Sequence, residues 1–75
     1  MALTIEDVTS LVCVQLGLRR VAEQDRLIED LGAESVDLVN LTAAAEECFH
    51  ITFDEEEIAG VRTVRELYNL VAKAV

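Results

Sequence analysis

The chain has 75 residues, which allow one small domain over residues 1–75 but leave little room for a deep catalytic cleft. Hydrophobic residues make up 52% of it, a content that favours a folded protein, and no apolar run reaches membrane-spanning length. Fifteen acidic residues against six Lys and Arg give a net charge of −9, which repels nucleic acids and anionic lipids and attracts proteins with basic patches. With no signal-peptide pattern at the N-terminus, we expect a cytoplasmic protein that inserts into no membrane.

The first predicted helix spans about residues 4–16. Thr4 is suited to cap it, apolar residues then recur at helical spacing, and Gly17 is a natural terminator. Residues 18–34 have no regular period and are long for a loop in a compact domain. Apolar residues spaced along this stretch indicate that it packs on the core.

Three further helices are predicted, at about residues 35–49, 54–59 and 64–74. Capping boxes mark the starts of the last two, formed by Asp54 with Glu57 and by Thr63 with Glu66. No segment shows the alternation of apolar and polar residues that is typical of strands. We therefore predict an all-α fold, an antiparallel four-helix bundle with three long helices, one short helix and a long first loop.

The two cysteines, Cys13 and Cys48, give no indication of a metal site, because they lack CxxC spacing and neighbouring histidines. Each lies in an apolar helical stretch, where a free cysteine usually behaves as a small buried hydrophobe. A disulfide between them is the alternative.

The segment from Asp30 to Asp37, with the sequence Asp-Leu-Gly-Ala-Glu-Ser-Val-Asp, carries most of the chemical information. Ser35 stands where the loop becomes a helix, a position at which a small hydroxyl is favoured as an N-cap. A phosphate attached there would face free backbone N–H groups and the positive end of the helix dipole. The residues alone leave two interpretations open, a plain helix cap and a modification site.

This run resembles the signature of the acyl carrier protein family, in which a D-L-G-x-D/E-S-L/V-D sequence carries the serine that receives 4′-phosphopantetheine. The resemblance extends over nearly the whole chain, including the segments 5–17, 44–56 and 60–75. It implies that a phosphopantetheinyl transferase moves the arm from coenzyme A to Ser35. It also implies a monomeric carrier, not an enzyme, that shuttles acyl groups as thioesters between enzymes of fatty-acid, polyketide or specialised lipid synthesis.

The resemblance further implies two surfaces. Partner enzymes with basic docking patches would contact residues along the second helix, namely Glu34, Val36, Asp37, Leu38, Glu46 and Glu47. The acyl chain would be stored between the helices, against Val39, Leu41, Ala45, Phe49, Ile51 and Val61.

Two departures from the family pattern are relevant to the function. Asn40 stands where a typical fatty-acid carrier has an acid, which hints at a specialised carrier with its own partners. The run 43–45 is all alanine, where bulkier residues are common. Either the missing side-chain volume enlarges the acyl pocket, or alanine is simply the best helix former and a neighbouring element closes in.

Three other functional classes are alternatives to a carrier. An enzyme using Ser35 and His50 is excluded, because the two lie about 22 Å apart along one helix and the G-x-S-x-G elbow is absent. An EF-hand is excluded by the missing D-x-D-x-D-G spacing. An unmodified acidic helical module that binds a basic protein partner stays open as the alternative.

Overall fold

The computed structural model describes residues 3–75 and confirms the all-α architecture, with three long helices, one short helix and a long first loop. The helices α1 to α4 span Ile5–Leu16, Ser35–Phe49, Glu55–Ala59 and Val64–Ala74. Between residues 3 and 75 the only extended pairing is an isolated bridge from Arg26 to Thr63. None of the helices in this range is long and apolar enough to cross a membrane.

The predicted caps of α1 and α4 are confirmed. The Thr4 hydroxyl accepts a hydrogen bond from the Asp7 backbone N–H at 3.3 Å, and the Asp7 carboxylate accepts one from the Thr4 N–H at 3.0 Å. Thr63 and Glu66 repeat this reciprocal pattern at α4. Each box satisfies N–H groups that have no partner within the helix, so the helix starts are defined locally.

The core lies where α1 packs against both α2 and α4. Its fully buried side chains come from all three long helices and from the first loop, and the largest are Val8, Val12, Leu27, Leu41, Val64, Leu67 and Val71. Such small, branched side chains fit the narrow spaces between helices in so short a chain.

The long first loop is joined to the start of α4 by backbone hydrogen bonds. The Leu27 N–H donates to the Arg62 carbonyl at 2.8 Å, and the Val64 and Arg65 N–H groups donate to carbonyls of the loop at 3.1 and 2.7 Å. The Leu27 side chain is only 1% exposed. The loop is therefore packed on the core, as its apolar residues predict.

Both cysteines are free thiols. Cys13 is half-buried, but Cys48 is exposed, so the expectation of a buried cysteine is wrong for Cys48. Helical register does not account for this exposure, because Cys48 is three residues after the buried Ala45; it lies in the last turn of α2, beyond the last buried residue of that helix.

Candidate functional site

Ser35 is the first residue of α2 and not its cap, so the interpretation of Ser35 as a plain helix cap is wrong. Glu34 takes the cap position with an extended backbone, φ −97° and ψ 170°. The Asp37 carboxylate reaches back to accept a hydrogen bond from the Glu34 N–H at 2.9 Å. Because the Asp37 carboxylate forms this capping hydrogen bond, the serine hydroxyl is not needed for it.

The Ser35 side chain is exposed, and its hydroxyl makes no hydrogen bond with any residue in the range 3–75. The hydroxyl therefore lies open to an approaching enzyme at the N-terminal end of a 15-residue helix. Free backbone N–H groups and the positive end of the helix dipole favour a phosphate at this position. The residues present thus fit covalent attachment of a phosphate-linked group.

The turn before Ser35 is held by an ion pair within the first loop. The Asp30 carboxylate accepts hydrogen bonds from the Arg26 backbone N–H at 2.8 Å and from the guanidinium at 3.2 Å. These hydrogen bonds lower the pKa of Asp30 and raise that of Arg26. Gly32 then adopts a left-handed conformation, with φ 73°, and Ala33 enters the core. The backbone is thereby directed into α2.

A groove of about 520 Å³ opens beside Ser35. Residues of the first loop, α2, α3 and the connection to α4 line it, and most of them are apolar: Ile28, Leu38, Val39, Ile58, Ala59 and Val61. Two charged residues, Glu29 and Arg62, complete the lining. The serine hydroxyl is therefore next to an apolar surface with charges among its lining residues.

A second groove, of about 490 Å³, lies between α2 and α3 and shares Val39, Ile58 and Ala59 with the first. Ala43, from the alanine run, lines it together with Phe53. Ala45 instead is fully buried in the core. The run therefore contributes both to packing and to an open apolar surface.

The structure distributes the predicted acyl-pocket residues over three environments. Val39 and Val61 line the groove beside Ser35. Leu41 and Ala45 are buried in the core, at 1% and 0% exposure. Phe49 and Ile51 are partly buried against that core. Ile58 also lines the groove beside Ser35 but is absent from the predicted acyl-pocket residues. The signal in the sequence that could have identified it is an apolar side chain directly after the acidic start of α3.

The predicted docking residues also differ in their surroundings. Glu34, Val36 and Glu47 are exposed, and Asp37 and Leu38 are half-buried. Glu46 is half-buried as well, and its carboxylate accepts a hydrogen bond from a backbone N–H of the α2–α3 connection. The exposed Glu34 and Val36 and the half-buried Asp37 therefore lie beside Ser35 at the start of α2. Glu47 is exposed in the last turn of the helix, and Glu46 is engaged within the fold.

Comparison with known proteins gives consistent matches over the chain. The family model described as a phosphopantetheine attachment site matches residues 6–71. An acyl carrier protein of Syntrophobacter fumaroxidans is 31% identical over 68 residues, covering 88% of this chain and 84% of the relative. An acyl carrier protein of Helicobacter hepaticus is 39% identical over 66 residues, which cover 85% of this chain and 87% of the relative. A Mycobacterium tuberculosis structure described as an acyl carrier protein superposes with a TM-score of 0.88 at 26% identity, covering 92% of this chain and 95% of its own.

Proposed function

Because the chain belongs to the acyl carrier protein family, we propose that Ser35 is the residue that bears its covalent 4′-phosphopantetheine. Members of this family are carriers and not enzymes. The thiol of the bound group forms the thioester that holds an acyl chain. The observation that supports Ser35 most strongly is its exposed hydroxyl, free of hydrogen bonds within residues 3–75 and next to an apolar groove.

The residues around Ser35 support the attachment step. A phosphopantetheinyl transferase must bring the serine hydroxyl into its own active site, which requires an exposed side chain on a firmly held backbone. The hydrogen bond from the Glu34 N–H to the Asp37 carboxylate holds the start of α2 without using the hydroxyl. The net charge of −9 favours encounter with basic partner surfaces.

We propose that the groove beside Ser35 receives the acyl chain. Val39 and Val61 line it together with Ile58, and the second groove continues the same apolar surface along α3. Burying methylene groups there is favourable by about 0.8 kcal/mol per buried CH₂. Of the other pocket residues carried over from the family, the fully buried Leu41 and Ala45 contact a chain only if the helices separate. Phe49 and Ile51 are partly buried against the core and line neither groove.

We also propose that partner enzymes dock along α2, from its start beside Ser35 to Glu47 in its last turn. Glu34, Asp37 and Glu47 offer negative charge to basic patches, and Val36, 59% exposed, offers an apolar contact beside the serine. Charge-steered contacts of this kind form quickly and weaken with salt, which suits a carrier that exchanges between partners. Enzymes of fatty-acid, polyketide or specialised lipid synthesis all fit this description.

Intact mass spectrometry tests the attachment site. The protein is incubated with coenzyme A and a broad-specificity phosphopantetheinyl transferase. We expect the wild type to gain the mass of one phosphopantetheine unit and Ser35→Ala to gain none. Ser10→Ala is the matched control, because Ser10 is the other serine of the chain and is exposed on α1.

A gain in Ser35→Ala, or none in a folded wild type, contradicts the proposal. The second result would favour the alternative of an unmodified acidic helical module that binds a basic protein partner. Circular dichroism of each sample distinguishes a missing modification from a failure to fold.

A further inference from the structure

Arg62 lies in the connection between α3 and α4 and lines the groove that contains Ser35. Its backbone is anchored on both sides. Its N–H donates to Glu66 Oε1 at 3.1 Å, and its carbonyl accepts from the Leu27 N–H at 2.8 Å. The guanidinium, in contrast, makes no hydrogen bond or ion pair with any residue from 3 to 75. Arg62 therefore combines a fixed backbone at the edge of the groove with an uncommitted guanidinium.

The other basic side chains are committed or lie elsewhere. The three that form ion pairs are Arg26, Arg65 and Lys73. Arg19 and Arg20 line a different groove, between α1 and the first loop. The acid of the Ser35 groove, Glu29, has its carboxylate 3.6 Å from Arg26 Nε. Across residues 3–75, Arg62 is thus the basic residue that lines the Ser35 groove.

We propose that the Arg62 guanidinium binds the phosphodiester of the arm attached to Ser35 and holds the base of the arm against the groove. This inference rests on the proposed attachment at Ser35. A phosphodiester on Ser35 adds a negative charge beside Glu34 and Asp37, which repel it. A guanidinium suits this anion well, because its planar N–H groups match two phosphate oxygens.

Covalent attachment makes this ion pair intramolecular, so even a weak contact is populated. An exposed ion pair of ordinary strength corresponds to a change of at most about fivefold in the ratio of bound to extended arm. The arm base then exchanges readily between Arg62 and solvent. Such exchange suits a carrier, because a partner enzyme must be able to draw the arm out of the groove.

Phosphorus NMR on the arm-loaded protein tests this inference. Loading is first verified by intact mass, and the ³¹P resonance of the phosphodiester is then compared between the wild type and Arg62→Gln. Arg20→Gln is the matched control, because it removes the same charge from an exposed arginine that lines another groove. We expect the resonance to shift in Arg62→Gln alone, and the difference to vanish in about 1 M salt, where the Debye length is about 3 Å.

Three results overturn the inference. Equal ³¹P resonances in a loaded wild type and a loaded Arg62→Gln would show that Arg62 does not contact the phosphodiester. The proposed attachment at Ser35 would still stand. A difference that appears only after loading with a malonyl group assigns Arg62 to the carboxylate of the cargo. An absent mass gain in the wild type overturns the proposed attachment together with this inference.

Discussion

The carboxylate of Glu46 on α2 accepts a hydrogen bond from the backbone N–H of Phe53, with 2.9 Å between Oε2 and the nitrogen. The contact joins α2 to the connection that leads into α3, and the Phe53 side chain is only 7% exposed. The neighbouring Glu47 is exposed. The family resemblance assigns both Glu46 and Glu47 to the docking surface. In the fold, however, Glu46 forms a hydrogen bond within the protein and only Glu47 is exposed to partners.

Replacing Glu46 should destabilise the protein more than replacing Glu47. Glu46→Ala leaves the half-buried Phe53 N–H without its partner, and we expect a loss of about 1–3 kcal/mol in the free energy of unfolding. Glu47→Ala removes an exposed side chain and should change it by less than about 0.5 kcal/mol. Urea denaturation followed by circular dichroism measures both. Equal losses would show that the Glu46 hydrogen bond contributes nothing of its own.

Leu27 and its neighbour Ile28 form a second matched pair. Leu27→Ala removes a side chain that is 1% exposed and should cost about 2–5 kcal/mol of unfolding free energy, because it leaves a cavity under the first loop. Ile28, at 48% exposure, lines the groove, so Ile28→Ala should leave stability nearly unchanged. Thermal and urea unfolding of both variants provide the comparison. A stable Leu27→Ala variant would contradict the packing of the loop on the core.

Gly32 should tolerate alanine less well than Gly60. A Cβ at Gly32 has no atom within 4 Å, so the cost comes from its φ of 73° and should be about 1–2 kcal/mol. Gly60 has an ordinary helical φ of −86°, and a Cβ there meets only van der Waals contacts at 3.7 and 3.9 Å. Gly60→Ala should therefore be neutral or stabilising. Both are measured by urea unfolding, and a reversed order would contradict the backbone argument.

The Asp30–Arg26 pair should make stability depend on pH in the acid range. Hydrogen bonds from Arg26 lower the pKa of Asp30 in the folded protein below its ordinary value of 3.8. A group with a lowered folded pKa stabilises the fold above its unfolded pKa, and this contribution disappears as the pH falls through the folded pKa. The side-chain carboxyl ¹³C resonance of Asp30 reports the folded pKa by NMR titration.

Two substitutions test that titration. Arg26→Gln should return the pKa of Asp30 towards its ordinary value, because the charged partner is lost. Arg65→Gln removes a different exposed ion pair, with Glu23, and should leave the Asp30 titration unchanged. If the Asp30 pKa is unmoved in Arg26→Gln, the ion pair does not set it.

Much of the fold follows from local sequence. Reciprocal caps such as Thr4 with Asp7 and Thr63 with Glu66, followed by apolar residues at helical spacing, determine where helices begin and which face is buried. The serine of the Asp-Leu-Gly motif became the candidate for modification through the family resemblance, because a hydroxyl at a loop–helix junction is by itself equally typical of a helix cap. These features depend on residues within about four positions of each other, which is the range of helical contacts.

Other features depended on contacts that local spacing does not contain. Glu34 rather than Ser35 became the cap of α2, because the buried Ala33 and the left-handed Gly32 set the backbone that enters the helix. Glu46 met a backbone N–H seven residues away, and Arg62 came to the Ser35 groove through its hydrogen bond with Leu27. Such partners are separated along the chain and brought together by core packing, so the chemistry around the serine was decided by the tertiary structure.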